Sequence, residues 1–499
     1  MKKVLLFVLL AVFLTACHDC PECPDPEPCP EYEYMPKVTL RDIKANDTLT
    51  HDFGAGMLLI DTIIIRSIVC PDYPPTPDPE TIYVEVPVYV EVPIYKDTCL
   101  EEPGPIAENA YYVAPYGHDS NAGTAEHPWA TWGRAFNADL MPGDTVYFRG
   151  GVYPHPAADG WDGITCEVDG EPGAYVHFFN YPGEEPILDS KGIKVEWTHN
   201  RGLYMKGVNY VHFKGLTIQH VEQRDRGIIK GDIEATAWHL RGTNCIIEQC
   251  VVRNCHGGGF GLNNCDNVWV INCDGFNMVD SFTSVPAGNP MPGNDGTAFS
   301  DWNTNSTEYR NYFIGNRAWN CGDQGFTSGS IGYTEYINNW SFNNGVLEGG
   351  GHGYKMGWIP TIGAPLNRLY RNCLAVNNRR MGWDTNEGNR PCGVLQVENN
   401  IAYGNGVGYR VLNSSSSAEA EQNRVYERNV AYNNGTDFQL ISGAGCTQID
   451  NSWNVGGAES DWFVSLDASQ LMRPRKADGS LPDIDFLELT EEAKTLMNW

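Results

Sequence analysis

A chain of 499 residues with 41% hydrophobic content, 14 Trp, 25 Tyr and 18 Phe can bury a sizeable core, in two or three domains or in one long repetitive one. Its 53 glycines and many asparagines favour turn-rich β structure over helices. The formal charge of −29 excludes nucleic acid as a partner, because such binding neutralises phosphates with Lys and Arg, and any anionic ligand would need a few placed cations.

The first residues form an address. Met1-Lys2-Lys3 and the apolar run after it make a signal too short and too early for a spanning helix. It closes with Leu14-Thr15-Ala16-Cys17, which resembles a bacterial lipobox. That resemblance implies cleavage after residue 16, lipid on Cys17, and a place on the outer membrane or cell surface of a Gram-negative bacterium. Each buried CH₂ of an acyl chain adds roughly 0.8 kcal/mol to the anchoring, and export implies an oxidising compartment.

Residues 17–106 then read as a Pro- and acid-rich tether. They hold 18 Asp/Glu and 5 Lys/Arg, so 5 − 18 = −13 of the formal charge is N-terminal. Within them, Gly56 to Ile60 and Thr62 to Ile65 have strand character, and Tyr83 to Tyr95 repeats YVEVP, whose prolines bar it from a sheet interior. A stalk is expected there, with a small β module as the alternative.

Residues 107–499 are expected to form one domain. A short motif recurs in it: Asn or Cys, a mostly apolar triplet, then Asn or Cys five places after the first. It occurs at Cys250/Cys255, Asn316/Cys321, Asn339/Asn344, Cys373/Asn378, Asn400/Asn405 and Asn429/Asn434, with a weaker copy from Cys273. Successive first members are 23, 43, 23, 34, 27 and 29 residues apart, the period of a solenoid coil. Short β-branched or aromatic runs between Asn-Gly turns select an all-β, right-handed parallel β-helix over helical repeats.

The 16 cysteines suggest a disulfide framework or a metal site, but their spacing lacks the paired form of zinc ribbons. Cys and Asn instead alternate in the same columns. Coils stack about 4.8 Å apart, so an inward Asn can bond the next coil and a Cys can fill the same place as a small apolar group. An interior ladder is expected, with a Cys250–Cys273 disulfide as the minor alternative. The long interval from Cys273 to Asn316 carries an extra segment, and such interruptions commonly build a solenoid's binding groove.

The motifs around that interval are Asn294-Asp295-Gly296-Thr297-Ala298, Asp323-Gln324-Gly325-Phe326 and Gly353-Tyr354-Lys355-Met356-Gly357. They resemble signatures of polysaccharide lyase family 9, the pectate and rhamnogalacturonan lyases. The segment from Arg473 to Pro482, followed by Asp485-Phe486-Leu487, resembles that family's closing stretch. The resemblance spans roughly Asn109 to Leu489. It implies a right-handed parallel β-helix that cleaves acidic pectic polysaccharide by β-elimination, with Lys355 as base and Ca²⁺ held by Asp295 and Asp323. Two positions depart from the pattern: Gln324 stands where the family has a second Asp, and Thr327 where it has the closing Asp. Asp280 is the candidate replacement, and Gln324 can offer its amide oxygen.

The chemistry suits these residue types. Elimination removes a proton α to a carboxylate, and a bridging cation neutralises the charge that builds there. Calcium accepts roughly 6 to 8 oxygens in a flexible shell. A free lysine titrates near ~10.4, and a neighbouring cation favours its neutral form, so an alkaline optimum follows. Arg380, His352, Trp358 and Asp384 are the candidate substrate contacts, with Trp302 and Trp383 as further sugar platforms. Arg379, Arg380 and Asp384 can alternatively pair among themselves.

Two rival readings stand beside the lyase. Gly351-His352-Gly353 also resembles the motif of β-helix polygalacturonases, whose inverting mechanism needs two carboxylates roughly 6.5–9.5 Å apart. The missing aspartates suit a non-catalytic surface glycan-binding protein. A monomer is expected in every case.

Overall fold

The computed structural model describes residue 107 and residues 110–156, 163–193, 199–223, 234–281, 291–357, 366–386, 392–412, 423–441 and 444–499, together with two strands nearer the N-terminus. Those two, Met57–Ile60 and Val88–Glu91, pair antiparallel within an N-terminal unit that ends at Asp97. Cys17, the signal and most of the expected tether lie outside the described residues, as does Trp358. Among the described residues no helix is long and apolar enough to cross a membrane.

From Tyr111 onward the chain winds through three parallel sheets, one of 12 strands and two of 10, and from Thr145 to Leu440 each coil gives one strand to each sheet in turn. This is the expected parallel β-helix. Its corners explain why the sequence repeats as it does. In each coil the residue just before a ladder position has a left-handed backbone, as at Asn338 (φ 53), Asn343 (φ 55), Asn372 (φ 56), Asn377 (φ 51), Asn399 (φ 54) and Asn433 (φ 57). Asparagine tolerates that conformation better than other side-chain-bearing residues. Two such corners five residues apart leave room for a three-residue strand, for example Trp340–Phe342, Leu374–Val376 and Ile401–Tyr403 in the second sheet.

The ladder residues point inward and bond from coil to coil. Asn316 donates from Nδ2 to Asn339 Oδ1 at 3.0 Å, Asn344 to Asn378 at 2.9 Å, Asn378 to Asn405 at 3.0 Å and Asn405 to Asn434 at 3.0 Å. Cysteine fills the same columns: the Cys373 amide donates to Asn400 Oδ1, and the Cys321 amide to Asn344 Oδ1. Cys245, Cys250, Cys255, Cys265 and Cys273 are buried free thiols, so the Cys250–Cys273 disulfide is not formed. Burial pushes the thiols of Cys245, Cys255 and Cys321 up to about 12, which makes them packing groups rather than nucleophiles.

Aromatic rings fill the interior behind the third sheet. Trp238, Phe260, Phe299, Phe326, Tyr354, Trp383 and Tyr409 stack in sequence with centroids 4.8 to 5.7 Å apart. Trp383 therefore belongs to the core, with no exposed surface, and is not a sugar platform.

A second apolar cluster lies outside the second sheet. There Trp319, Trp340, Phe342, Val376, Ile401 and Val430 are covered by Phe463, Leu471, Phe486, Leu489, Ala493 and Met497 of the C-terminal segment. Charge pins the middle of this cover. Arg317 and Arg475 both bond the half-buried carboxylate of Asp274, their closest contacts being 2.7 Å and 2.6 Å.

Candidate functional site

The site is built on the third sheet from a triplet that recurs coil by coil: a glycine, an aromatic ring and a third residue facing away from the core stack. It reads Gly325-Phe326-Thr327, Gly353-Tyr354-Lys355, Gly382-Trp383-Asp384 and Gly408-Tyr409-Arg410. A Cβ on Gly353 would sit 2.7 Å from the Gly382 carbonyl, and one on Gly382 would sit 2.6 Å from the Gly408 carbonyl. Glycine lets consecutive coils close up there. The aromatic member joins the interior stack. The third members align in register, so Ser300, Thr327, Lys355, Asp384, Arg410 and Gln439 form one row across six coils.

Lys355 is half-buried in the middle of this row, between Thr327 and Asp384. Among the described residues its amine forms no ion pair. The two acidic turns approach from the coils before it. Asp323 donates its amide to the Gly296 carbonyl, next to Asp295, at 2.9 Å. The Asp323 carbonyl in turn accepts from Gly351 at 2.6 Å and His352 at 3.0 Å. Asp295, Asp323 and the strand ending in Lys355 thus occupy three consecutive coils. The segment bearing Asp295 is wedged in by glycines: a Cβ on Gly322 would sit 2.7 Å from Gly293 Cα, and one on Gly349 would sit 1.8 Å from the Gly293 carbonyl.

Asp323 is 5% exposed, and burial pushes its carboxyl up to about 6. The Lys355 charge and the Gly350 N–H, which donates to Oδ1 at 2.6 Å, pull it back, while Asp280 pushes it further up. Asp280 is fully buried and raises Asp323 through its charge, but among the described residues it does not gather with Asp295 and Asp323 as a three-carboxylate metal site. Gln324 donates from Nε2 to Thr297 Oγ1 at 2.7 Å, and its Oε1 is buried without a hydrogen bond.

Among the described residues no three His, Cys, Asp or Glu side chains gather as a metal site. The donor set at the turns is instead two carboxylates, Asp295 and Asp323, and one amide oxygen. An orphaned amide oxygen beside a carboxyl that is costly to ionise is what an oxygen-seeking cation would satisfy. The set fits calcium, at a low carboxylate count.

The expected substrate contacts divide. Arg380 is exposed at the start of its coil, where its amide donates to the Gly351 carbonyl at 2.9 Å. Arg379 instead clasps the loop before Lys355 through the carbonyls of Leu347 and Gly349. His352 is 6% exposed, and burial lowers it to about 4, so its ring is neutral.

Asp384 requires a correction. It has no exposed surface, and both its oxygens accept from Arg410, at 3.0 and 2.6 Å. It is neither a substrate contact nor a partner of Arg379 or Arg380, because the Arg410 fork lies over it. The same engagement weakens the polygalacturonase reading: Asp384 is committed to Arg410, and Asp323 Oδ1 already accepts from Gly350. Sequence reasoning missed Arg410, although the Gly-aromatic-X repeat would have placed it in the row of Lys355.

A three-sheet parallel β-helix with one lysine in an outward row beside two acidic turns defines a class of polysaccharide-active solenoids. The sequence matches the model of the Pel9A-like, right handed beta helix region over residues 111–424. The chain belongs to that family. Pectate lyase L of Dickeya dadantii (strain 3937) is 27% identical over 408 residues, covering 79% of this chain and 86% of that protein. Pectate lyase PEL9 of Emericella nidulans is 24% identical over 411 residues, covering 75% of this chain and 91% of that protein. Among solved structures, pectate lyase Pel9A aligns with a TM-score of 0.60 at 25% identity, over 78% of this chain and 90% of that one. A rhamnogalacturonan lyase shares the fold with a TM-score of 0.55 at 22% identity, over 77% of this chain and 97% of that one.

Proposed function

We propose that this polysaccharide lyase cleaves an acidic, uronate-containing pectic polymer by β-elimination, with Lys355 as the base. The observation that carries the reading is the placement of Lys355 one coil beyond Thr327, in a row that faces away from the core, with its charge reaching Asp323. In the proposed reaction the amine takes the proton from C5 of the uronate. The C–H electron pair becomes the C4–C5 double bond, the C4–O4 bond breaks, and the leaving oxygen takes a proton from solvent.

Asp295 and Asp323, with the Gln324 amide oxygen, would hold calcium, and Asp280 would adjust the charge of Asp323. When bound, the ion would neutralise charge on the substrate carboxylate. Arg380, exposed beside His352, supplies a fork for a uronate oxygen pair.

The test is a panel of pectate and rhamnogalacturonan with and without chelator. Unsaturated ends, seen as rising ultraviolet absorbance, are expected from the unmodified protein and not from folded Lys355→Ala. Saturated reducing ends alone would replace this reading with a hydrolase. Binding without new ends would leave a glycan-binding protein.

We further propose that lipid on Cys17 places the protein at the cell surface. Cys17→Ser should then move it from the membrane fraction to the soluble one, and an unchanged distribution would remove the anchor.

A further inference from the structure

The row that carries Lys355 holds a second cation, Arg410, fixed by a buried carboxylate. Asp384 lies in backbone register between Lys355 and Arg410. Its carboxylate is wholly buried and fully engaged. Arg410 donates from Nε to Oδ1 at 3.0 Å and from Nη2 to Oδ2 at 2.6 Å, and the Asn386 amide donates to Oδ1 at 2.9 Å. His352 Nε2 stands 3.7 Å from Oδ2.

The arginine over this carboxylate keeps 24% of its side chain exposed. With Nε and one edge of Nη2 committed to Asp384, Nη1 has no partner among the described residues. A buried ion pair taken as a whole is often replaced by apolar residues at little cost, so stability alone does not account for this one. A buried carboxylate that holds an arginine still, in a row that faces away from the core, sets up a rigid anion receptor, because the planar fork is oriented before the ligand arrives.

The spacing fits the polymer. Lys355 and Arg410 lie two coils apart, about 10 Å at a coil rise of about 4.8 Å, and one saccharide unit is about as long as one coil rise. We infer that Arg410, oriented by the buried Asp384, is a substrate-binding residue that receives the carboxylate of a saccharide unit further along the chain from the one whose proton Lys355 removes. Asp384 is then a positioning residue. This inference rests on the lyase reading for the nature of the polymer.

Binding is measured in the Lys355→Ala background, where turnover does not intrude, by affinity electrophoresis in polygalacturonate, in rhamnogalacturonan and in highly methyl-esterified pectin. Arg410→Gln is made together with Asp384→Asn so that no buried charge is stranded, and melting temperature reports folding. The double change is expected to weaken binding to the acidic polymer that the protein retains by about tenfold or more, to flatten its salt dependence, and to leave binding to the ester unchanged. Arg410→Lys should fall between, because it keeps the charge and loses the fork. Equal affinity for the acidic polymer, an equal loss on the ester, or no retention of either acidic polymer before Arg410 is changed would overturn the inference. Failure of the lyase reading is seen separately, as absence of unsaturated product from the unmodified protein.

Discussion

Gly350 donates its amide to Asp323 Oδ1 at 2.6 Å, and a Cβ on Gly350 would sit 2.2 Å from that same oxygen. The hydrogen bond and the absent side chain are one device: only a residue without a Cβ brings its N–H that close to the acidic turn. Gly350→Ala should displace the Asp323 carboxylate by an ångström or so and lower kcat by about 10²-fold. The melting temperature should move little, since the strain is local. Unchanged turnover on the preferred polymer would show that the position of Asp323 does not matter to the reaction.

The low carboxylate count makes a quantitative claim about calcium. Affinity rises with the charge of the donor set, and Gln324 supplies none. Gln324→Asp is expected to tighten calcium binding by about tenfold, read by titration calorimetry in the absence of substrate. An unchanged isotherm would mean that the side chain at 324 does not face the ion.

The interior ladder predicts an unusual order of tolerated substitutions. Asn378 accepts from Asn344 Nδ2 at 2.9 Å and donates to the Ser341 carbonyl and to Asn405 Oδ1, both at 3.0 Å. Asn378→Leu leaves buried polar groups of two neighbouring coils unmatched and should cost about 3 kcal/mol or more. Asn378→Cys should cost clearly less, because Cys321 already fills this column with its amide donating to Asn344. Urea unfolding of the two variants checks the order.

The Asp274 clamp predicts how acid acts on the C-terminal cover. Burial opposes ionisation of Asp274, but Arg317 and Arg475 overcome it and hold the carboxyl well below the ordinary range. A carboxyl depressed in the folded state gives stability that is present above its unfolded value, ~3.9, and lost as pH falls through the folded one. Asp274→Asn should therefore melt well below the unmodified protein at pH 7, and the gap should narrow progressively below pH 4. A gap independent of pH would mean that packing, not charge, holds the segment.

How much of the fold and site is legible in the sequence follows from how each feature is written in the chain. The solenoid is legible because every coil reuses the same two inward positions, so Asn316, Asn339, Cys373, Asn400 and Asn429 already fall in one column when the repeats are aligned. Lys355 and the two turns are legible because each lies in a short local motif. The Asp384–Arg410 pair is not. Its partners sit 26 residues apart in sequence, and only the coil register makes them neighbours. Trp383 is misplaced for a related reason: whether a ring faces the core or the groove depends on its place in the Gly-aromatic-X triplet, which hydrophobicity alone does not reveal. The corner residues, such as Asn338 and Asn377, are visible in the sequence only as doubled asparagines, and their left-handed backbone explains the doubling.

The apolar cover over the second sheet has a consequence in time. Phe463, Leu471, Phe486 and Met497 lie C-terminal to every second-sheet residue they shield, from Trp319 to Val430. During synthesis those residues are therefore complete while their cover is still missing, and for that interval an aromatic sheet face stands open to water and to other chains. Holding that face until the cover arrives is work for a chaperone, and the length of the interval, rather than the strength of the finished fold, would set how much chain is lost to aggregation.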